Sequence, residues 1–341
     1  MRVITCISLI LGQLISAVAQ NIVVSPLPVN TSIRGMAVAD NNLVWISGSN
    51  GYVGLTRDGG KTWQMQQVPG YDNAEFRDIH LMQDGSVILM SATLPAAILR
   101  SADKGATWQE IFRQDDPAYF LDAMDFHGDR GMCLGDPING HFLTLYTEDA
   151  GWHWQERFLD DIGDSLAAFA ASGSIVKYLT RKKILFATGG KEARVYYTGN
   201  GGKSWAFSPT DIHQGKPSSG IFTMAFCNKK TLIVGGGDYT TGATPDNNLE
   251  ALQYRRHKWW STKEWQYDLA ASRSLGYISC LSCGANDVLI ACGTGGVGMI
   301  SERYRKISDI GFHVVQCAPD GITFYLAGNA VFGVCTIPVK Q

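Results

Sequence analysis

The sequence predicts an all-β protein, a seven-bladed β-propeller of four-stranded antiparallel blades. Three observations point there. A box of the form Ser/Thr-x-Asp/Asn-x-Gly-x-x-Trp occurs four times at nearly constant spacing. Short apolar runs recur in pairs along the chain, and a strand candidate at each end lies outside the repeat, where closing a ring would use it. Internal periods of roughly 20–50 residues mark solenoids and propellers.

The boxes are Thr56–Trp63, Ser101–Trp108, Thr147–Trp154 and Thr198–Trp205, and their third residues, Asp58, Asp103, Asp149 and Asn200, stand 45, 46 and 51 residues apart. Taking the units in order, the first runs are Gly35–Val38, Asp78–Leu81, Ala123–Phe126, Leu166–Ala170, Ile221–Phe226, Tyr277–Leu281 and Phe312–Val315. Each is followed by a second run ending near a glycine or small residue: Leu43–Gly48, Val87–Ala92, Gly131–Gly135, Ile184–Gly189, Leu232–Gly236, Val288–Gly293 and Thr323–Gly328. Removing a 19-residue leader from 341 residues leaves 322, and a seventh of that is 46, the box spacing. Repeating a blade radially solves the edge problem that one flat sheet would leave. Blades five and six lack the box: Trp259, Trp260 and Trp265 crowd the fifth, and Ser301-Glu-Arg303-Tyr-Arg305 keeps only the first residue in the sixth. Residues 21–24 and 331–337 are the end strands expected to pair and close the ring.

Composition agrees. Glycine is 38 of 341, about 11%, and 13 Tyr, 9 Trp and 14 Phe favour short strands and tight turns. With 29 Lys+Arg against 31 Asp+Glu the chain has no bulk charge for nucleic acid.

Met1 to Ala19 reads as a secretory signal peptide: Arg2, an apolar run, then Ala17-Val18-Ala19 as a small-residue cleavage site. Cleavage leaves Gln20 first, with 20–341 as a single propeller domain in a secreted or periplasmic, extracytoplasmic location. No second apolar segment has spanning length. Seven cysteines then remain, an odd number. Cys280 and Cys283 sit three apart in a strand-like run, where they face opposite ways and cannot share a metal. Buried thiols are expected, with one disulfide among Cys280, Cys283, Cys292 and Cys317. No metal site and no cofactor are expected. Gly293-Thr-Gly295-Gly-Val-Gly298 matches GxGxxG, but no helical stripe follows and the repeat makes it a blade-six turn.

The boxes resemble the Asp-box (BNR) repeat of sialidases and sortilins, which implies that Asp58, Asp103, Asp149 and Asn200 shape hairpin turns and that Trp63, Trp108, Trp154 and Trp205 pack between blades. Over nearly the whole mature chain the sequence is similar to the photosystem II stability/assembly factor-like propellers. Residues 45–63, 121–142, 169–174 (FAASGS), 187–195, 219–226 and 235–239 (GGGDY) carry this resemblance. It implies a seven-bladed propeller; photosynthetic members bind a reaction-centre subunit through a basic patch, and some members are loosely labelled oxidoreductases.

In a four-stranded blade, strands A to D from the axis outward, the B–C and D–A turns share one face. Arg77, Asp122, Asp136, His141, Arg194, Asp238, Tyr239 and Arg273 fall in those turns or at strand A starts and are expected to converge on one channel mouth. The bland alternative is that they are turn caps and ion pairs between blades. Two functions follow. The first is a monomeric, non-catalytic propeller holding a protein or peptide partner, with Arg77, His141, Arg194 and Arg273 as contacts. The second is a sialidase-like glycoside hydrolase or lyase acting on a glycan, its acid/base pair drawn from Asp122, Asp125, Asp136 and Asp238, with Tyr239 as nucleophile. Against the second stand seven units instead of a sialidase's six, and Ser32-Ile-Arg34-Gly35 only faintly echoes its Arg-Ile-Pro signature.

Overall fold

Strands pair almost entirely with their sequence neighbours, giving seven antiparallel sheets in a computed structural model that describes residues 22–159, 165–241, 247–255, 258–261, 275–301 and 303–337. The leader region and Arg273, Trp265 and their neighbours lie outside the described residues. Blade one is Ile33–Val38, Val44–Gly48, Tyr52–Thr56 and Gln64–Gln67; blade two is Phe76–Leu81, Val87–Ser91, Ala96–Ser101 and Gln109–Gln114. Blade three is Leu121–His127, Arg130–Ile138, His141–Thr147 and Gln155–Leu159; blade four is Val176–Thr180, Lys183–Ala187, Arg194–Thr198 and Ala206–Pro209. Blade five is Lys216–Asn228, Thr231–Asp238, Leu249–Arg255 and Lys258–Ser261; blade six is Cys280–Cys283, Leu289–Gly293, Gly296–Ile300 and Tyr304–Ser308. Blade seven takes Val314–Cys317, Thr323–Ala327 and Val331–Thr336 from the end of the chain and Val23–Pro26 from its beginning. Val23 pairs with Val334 and Pro26 with Val331, so the two ends close the ring as the sequence predicts.

Second strands are largely buried, fully so in Val44–Gly48 and Val87–Ser91, whereas the outermost Gln64–Gln67 is mostly exposed. The apolar core therefore sits between blades. Trp45, Leu55, Phe76 and Leu89 join blades one and two, and Ile46, Ile290, Phe324 and Phe332 join blades one, six and seven.

Each box forms the turn between strands C and D. In the first, Thr56 Oγ1 donates to Asp58 Oδ1 (2.8 Å), Gly60 N–H donates to Thr56 Oγ1 (2.9 Å), and Thr62 N–H and Oγ1 donate to Asp58 (2.9 and 2.6 Å). Asp103, Asp149 and Asn200 repeat the pattern. The bonds from Thr62 and Thr56 hold the Asp58 carboxyl down at about 2. Trp63 meets Phe332 of blade seven edge-on at 4.9 Å, whereas Trp154 and Trp205 meet Phe126 and Phe186 of their own blades.

Two expectations are corrected. The disulfide joins Cys227 to Cys283, linking the inner strands of blades five and six; Cys227 was outside the expected set, and Cys280, Cys292 and Cys317 are free. The inner strand of blade four is Val176–Thr180, whose buried and half-buried residues alternate, not the apolar run 166–170. That run pairs only through Leu166–Ala167 with Gly189–Gly190, at the edge of the blade-five sheet. Residues 168–174 then cross the channel. Ala170 O accepts from Arg77 of blade two (3.1 Å), Ser172 Oγ donates to Ser279 O of blade six (2.8 Å), and Ser174 Oγ donates to Thr223 of blade five (2.8 Å). A Cβ on Gly173 would fall 2.3 Å from the Asp78 carboxylate, so only glycine allows this approach. The FAASGS segment is a plug across the channel. Finally, Gly293 pairs with Gly296 in a tight turn and the chain continues as strand Gly296–Ile300, so the GxGxxG run meets no helix.

Candidate functional site

Because the inner strands share one register, their opening residues form a ring. Buried apolar residues Ile33, Phe76, Leu121, Ile221 and Phe312 are each followed by one that turns toward the mouth: Arg34, Arg77, Asp122, Phe222 and His313; in blade six Tyr277 takes that place. The plug occupies the blade-four sector. Above it, a cavity of about 550 Å³ opens on the face that carries the B–C turns, lined by Arg34, Arg77, Asp122, Asp136, Tyr239, Tyr277, His313, Phe222 and Phe169. Residues 167–171 of the plug form its floor, and 172–174 line a second cavity of about 570 Å³ on the opposite side.

One part of the mouth cavity is cationic. Arg77 pairs with Glu75 at 3.2 Å and donates to Ala170 O. Arg34 makes no hydrogen bond or ion pair among the described residues; burial and the neighbouring Arg77 charge lower its pKa. His313 is buried, with its Nδ1 3.1 Å from Ile33 O, and burial followed by Arg34 holds it at about 4, so it is neutral above that pH. Beside the arginines lies an acidic pair. Asp122 is fully buried and neither carboxylate oxygen has a hydrogen-bond partner among the described residues. Burial, then the nearby Asp136, pushes its carboxyl well above the usual range; Arg77 and the Ala170 amide oppose this without a hydrogen bond of good geometry. Asp136 accepts the Ala168 N–H at 3.1 Å, and burial raises it too. An aromatic wall completes the lining: Phe169 stacks on Phe222 at 3.9 Å, and Tyr277 meets Phe222 edge-on at 4.7 Å. Tyr239 stands exposed at the rim, 6.1 Å from Phe222.

Of the residues expected to converge, the structure brings together Arg77, Asp122, Asp136 and Tyr239. Asp238 instead caps its turn, accepting from Thr240 N–H (3.0 Å), Thr240 Oγ1 (2.6 Å) and Lys216 Nζ (3.1 Å); burial would raise its pKa, but these bonds hold it well below the carboxylate range. Arg194 turns outward to Glu192, Tyr196 and the Phe207 ring, and exposed His141 pairs with Ile138 across a hairpin. Neither lines the cavity. Arg273 lies outside the described residues. Arg34, Phe222, Tyr277 and His313 belong to the site without having been singled out; aligning the residue after each buried strand opener finds all but Tyr277.

Deeper in the channel, side chains of one inner strand accept backbone N–H groups of the next. Asp78 accepts from Met124 (2.8 Å), Asp125 from Tyr178 (2.6 Å), Thr223 from Leu281 (3.0 Å), Ser282 from Cys317 (2.9 Å) and Gln316 from Val38 (3.3 Å). Asp125 is thereby a bond between blades, not a member of the mouth. Among the described residues no group of three His, Cys, Asp or Glu could hold a metal ion, and no helix is long and apolar enough to cross a membrane.

The family model of the photosynthesis system II assembly factor YCF48 matches residues 19–112. The photosystem II assembly lipoprotein Ycf48 of Synechococcus sp. (strain CC9902) is 26% identical over 156 residues, 42% of this chain and 43% of that relative, so the match spans less than half of either. Among solved structures, YCF48 from Cyanidioschyzon merolae superposes with a TM-score of 0.64 at 15% identity, covering 93% of this chain and 99% of that one. A YCF48 bound to D1 peptide gives 0.63 at 15%, covering 94% and 96%. The WD40 repeats of RRP9 also give 0.64, at 12% identity over 94% and 98%, so likeness at this level is a likeness of fold.

Proposed function

We propose that this chain, a seven-bladed propeller similar to the photosystem II assembly factor YCF48, is an exported, non-catalytic binding protein that holds a protein or peptide partner on its B–C/D–A face. The observation that carries this reading is the plugged mouth: a floored cup with charges of both signs and an exposed tyrosine rim, the concave, partly apolar shape that binding sites favour. The likeness to a YCF48 bound to D1 peptide supports a peptide-sized occupant. Export is supported by the leader ending at Ala19, a few residues before the closing strand Val23–Pro26, and by the Cys227–Cys283 disulfide, which suits an oxidising compartment. Residues 1–19 are removed in this reading and 20–341 form the propeller domain.

The test is affinity capture from the envelope or secreted fraction with the mature chain and an Arg77→Glu variant of unchanged melting temperature. A partner held by the first and lost by the second is the expected result. Identical capture by both would remove Arg77 from the contact.

The glycosidase reading keeps one observation, the two carboxyls Asp122 and Asp136 facing one cavity with Tyr239 at its rim. It requires turnover of a sialoside or uronide that Asp122→Asn abolishes. The expected result is no turnover by either protein.

A further inference from the structure

We propose that the mouth cavity is also a small-ligand site for a compact zwitterion, a free α-amino acid or dipeptide with an apolar or aromatic side chain, whose ammonium meets Asp122 and Asp136 and whose carboxylate meets Arg34. The inference uses the same cavity as the partner reading but does not depend on a macromolecular partner.

Asp122 carries most of the argument. A fully buried carboxyl with no hydrogen bond of good geometry among the described residues costs stability, and native proteins leave such groups where something else completes them. Asp122 lines the cavity, so a ligand can be what completes it. Its neighbour Asp136 spends one oxygen on the Ala168 N–H. Two adjoining carboxyls and no donor left for Asp122 call for a donor-rich, cationic group, and an ammonium supplies three donors.

The neighbouring arginines call for an anion. Arg34 and Arg77 adjoin, and among the described residues the only carboxylate paired with either is Glu75, on Arg77. Arg34 keeps a planar fork of donors with no partner among the described residues, which suits a carboxylate held by two parallel bonds. A ligand with only one charge would satisfy one of these pairs and leave the other unmatched. The aromatic wall then takes an apolar side chain. A volume of about 550 Å³ accommodates a ligand of this size and lies within the usual range of small-molecule sites.

Isothermal titration of the mature chain with L-phenylalanine and with leucyl-phenylalanine tests the proposal, alongside N-acetyl-phenylalanine, which lacks the ammonium, and phenylalaninamide, which lacks the carboxylate. At least one zwitterion should bind saturably, and whichever does identifies the source as amino acid or dipeptide. Blocking either charge should weaken binding roughly 10- to 100-fold, the size of a lost charge-assisted hydrogen bond. Asp122→Asn should do the same for the zwitterion yet leave the N-acetyl compound unchanged, and Arg34→Gln should mirror this with the amide. Thermal melts of both variants establish that they fold. No saturable binding to the wild-type chain, or equal binding of blocked and free forms, overturns the proposal. Partner capture sensitive to Arg77→Glu would then still stand, so the two readings fail separately.

Discussion

Asp78 of blade two accepts the backbone N–H of Met124 in blade three at 2.8 Å, and its second oxygen accepts the Ile79 N–H at 2.8 Å. Inner strands of neighbouring blades do not share a sheet, and bonds of this kind, with the apolar core between blades, fasten them around the channel. The ring is built from Asp, Thr, Ser and Gln, and only some members are charged. It therefore depends on acceptor geometry rather than on ion pairs.

Asp78→Ala should accordingly destabilise the protein by about 2–4 kcal/mol, because two buried N–H groups lose their acceptor. Asp78→Asn keeps one oxygen, and so one of the two bonds, and should lose roughly half as much. Urea unfolding of both variants checks the order, and equal losses would mean that the carboxyl's charge matters more than its geometry.

Gly60 in the first box has φ +90°, and a Cβ there would stand 2.2 Å from the Phe332 ring of blade seven. Gly70 has a similar φ of +82° with open space around it. Gly70→Ala should cost about 1 kcal/mol from backbone conformation alone. Gly60→Ala should cost roughly 1–3 kcal/mol more, from overpacking at the seam where the ring closes. Matching losses in thermal melts would show that Phe332 yields without cost.

The Cys227–Cys283 bond closes a segment with a sequence separation of 56 residues. On the chain-entropy account, a loop of that length is stabilised by about 4 kcal/mol relative to the reduced protein. Cys227→Ser with Cys283→Ser should lower the urea midpoint accordingly, while dithiothreitol should shift the wild type and leave the double variant unmoved.

How much of this was legible beforehand depended on periodicity. The box at Thr56–Trp63 and its three repeats fixed the outer turns, and Val331–Thr336 paired with Val23–Pro26 as the end strands suggested. The run 166–170 misled because an apolar segment crossing a channel looks like an apolar strand; only the alternation in Val176–Thr180 distinguishes them. Cys227 was missed because its partner comes from another blade, which spacing along the chain cannot reveal. Asp238 and Arg194 fell out of the site because polar residues at turns are first satisfied locally, by Thr240 and Glu192 respectively. Arg34 and His313 became visible only once the inner strands were set in one register.

Acid sensitivity should come in part from His313. Its unfolded pKa is near 6.5 and its folded value about 4, so between them the unfolded chain binds the extra proton and stability falls as pH drops. The loss should amount to about 3 kcal/mol across that window. His313→Gln should flatten the profile between pH 6.5 and 4 in urea titrations. An unchanged slope would place the acid sensitivity elsewhere.

Asp122 should act with the opposite sign. Its carboxyl is raised by burial and by Asp136, so the unfolded chain loses its proton near the ordinary carboxylate pKa while the ligand-free folded chain retains it to higher pH. Stability from this group is then present below the unfolded pKa and declines as pH rises toward the folded value. Asp122→Asn removes that decline. Compared with the wild type, the variant should gain stability as pH rises above the ordinary carboxylate pKa, and the gain should disappear below it. Parallel profiles would mean that Asp122 is ionised in the folded protein, held by a counter-charge. A gain in stability coupled to a loss of ligand binding is the trade expected where a buried group is kept for function.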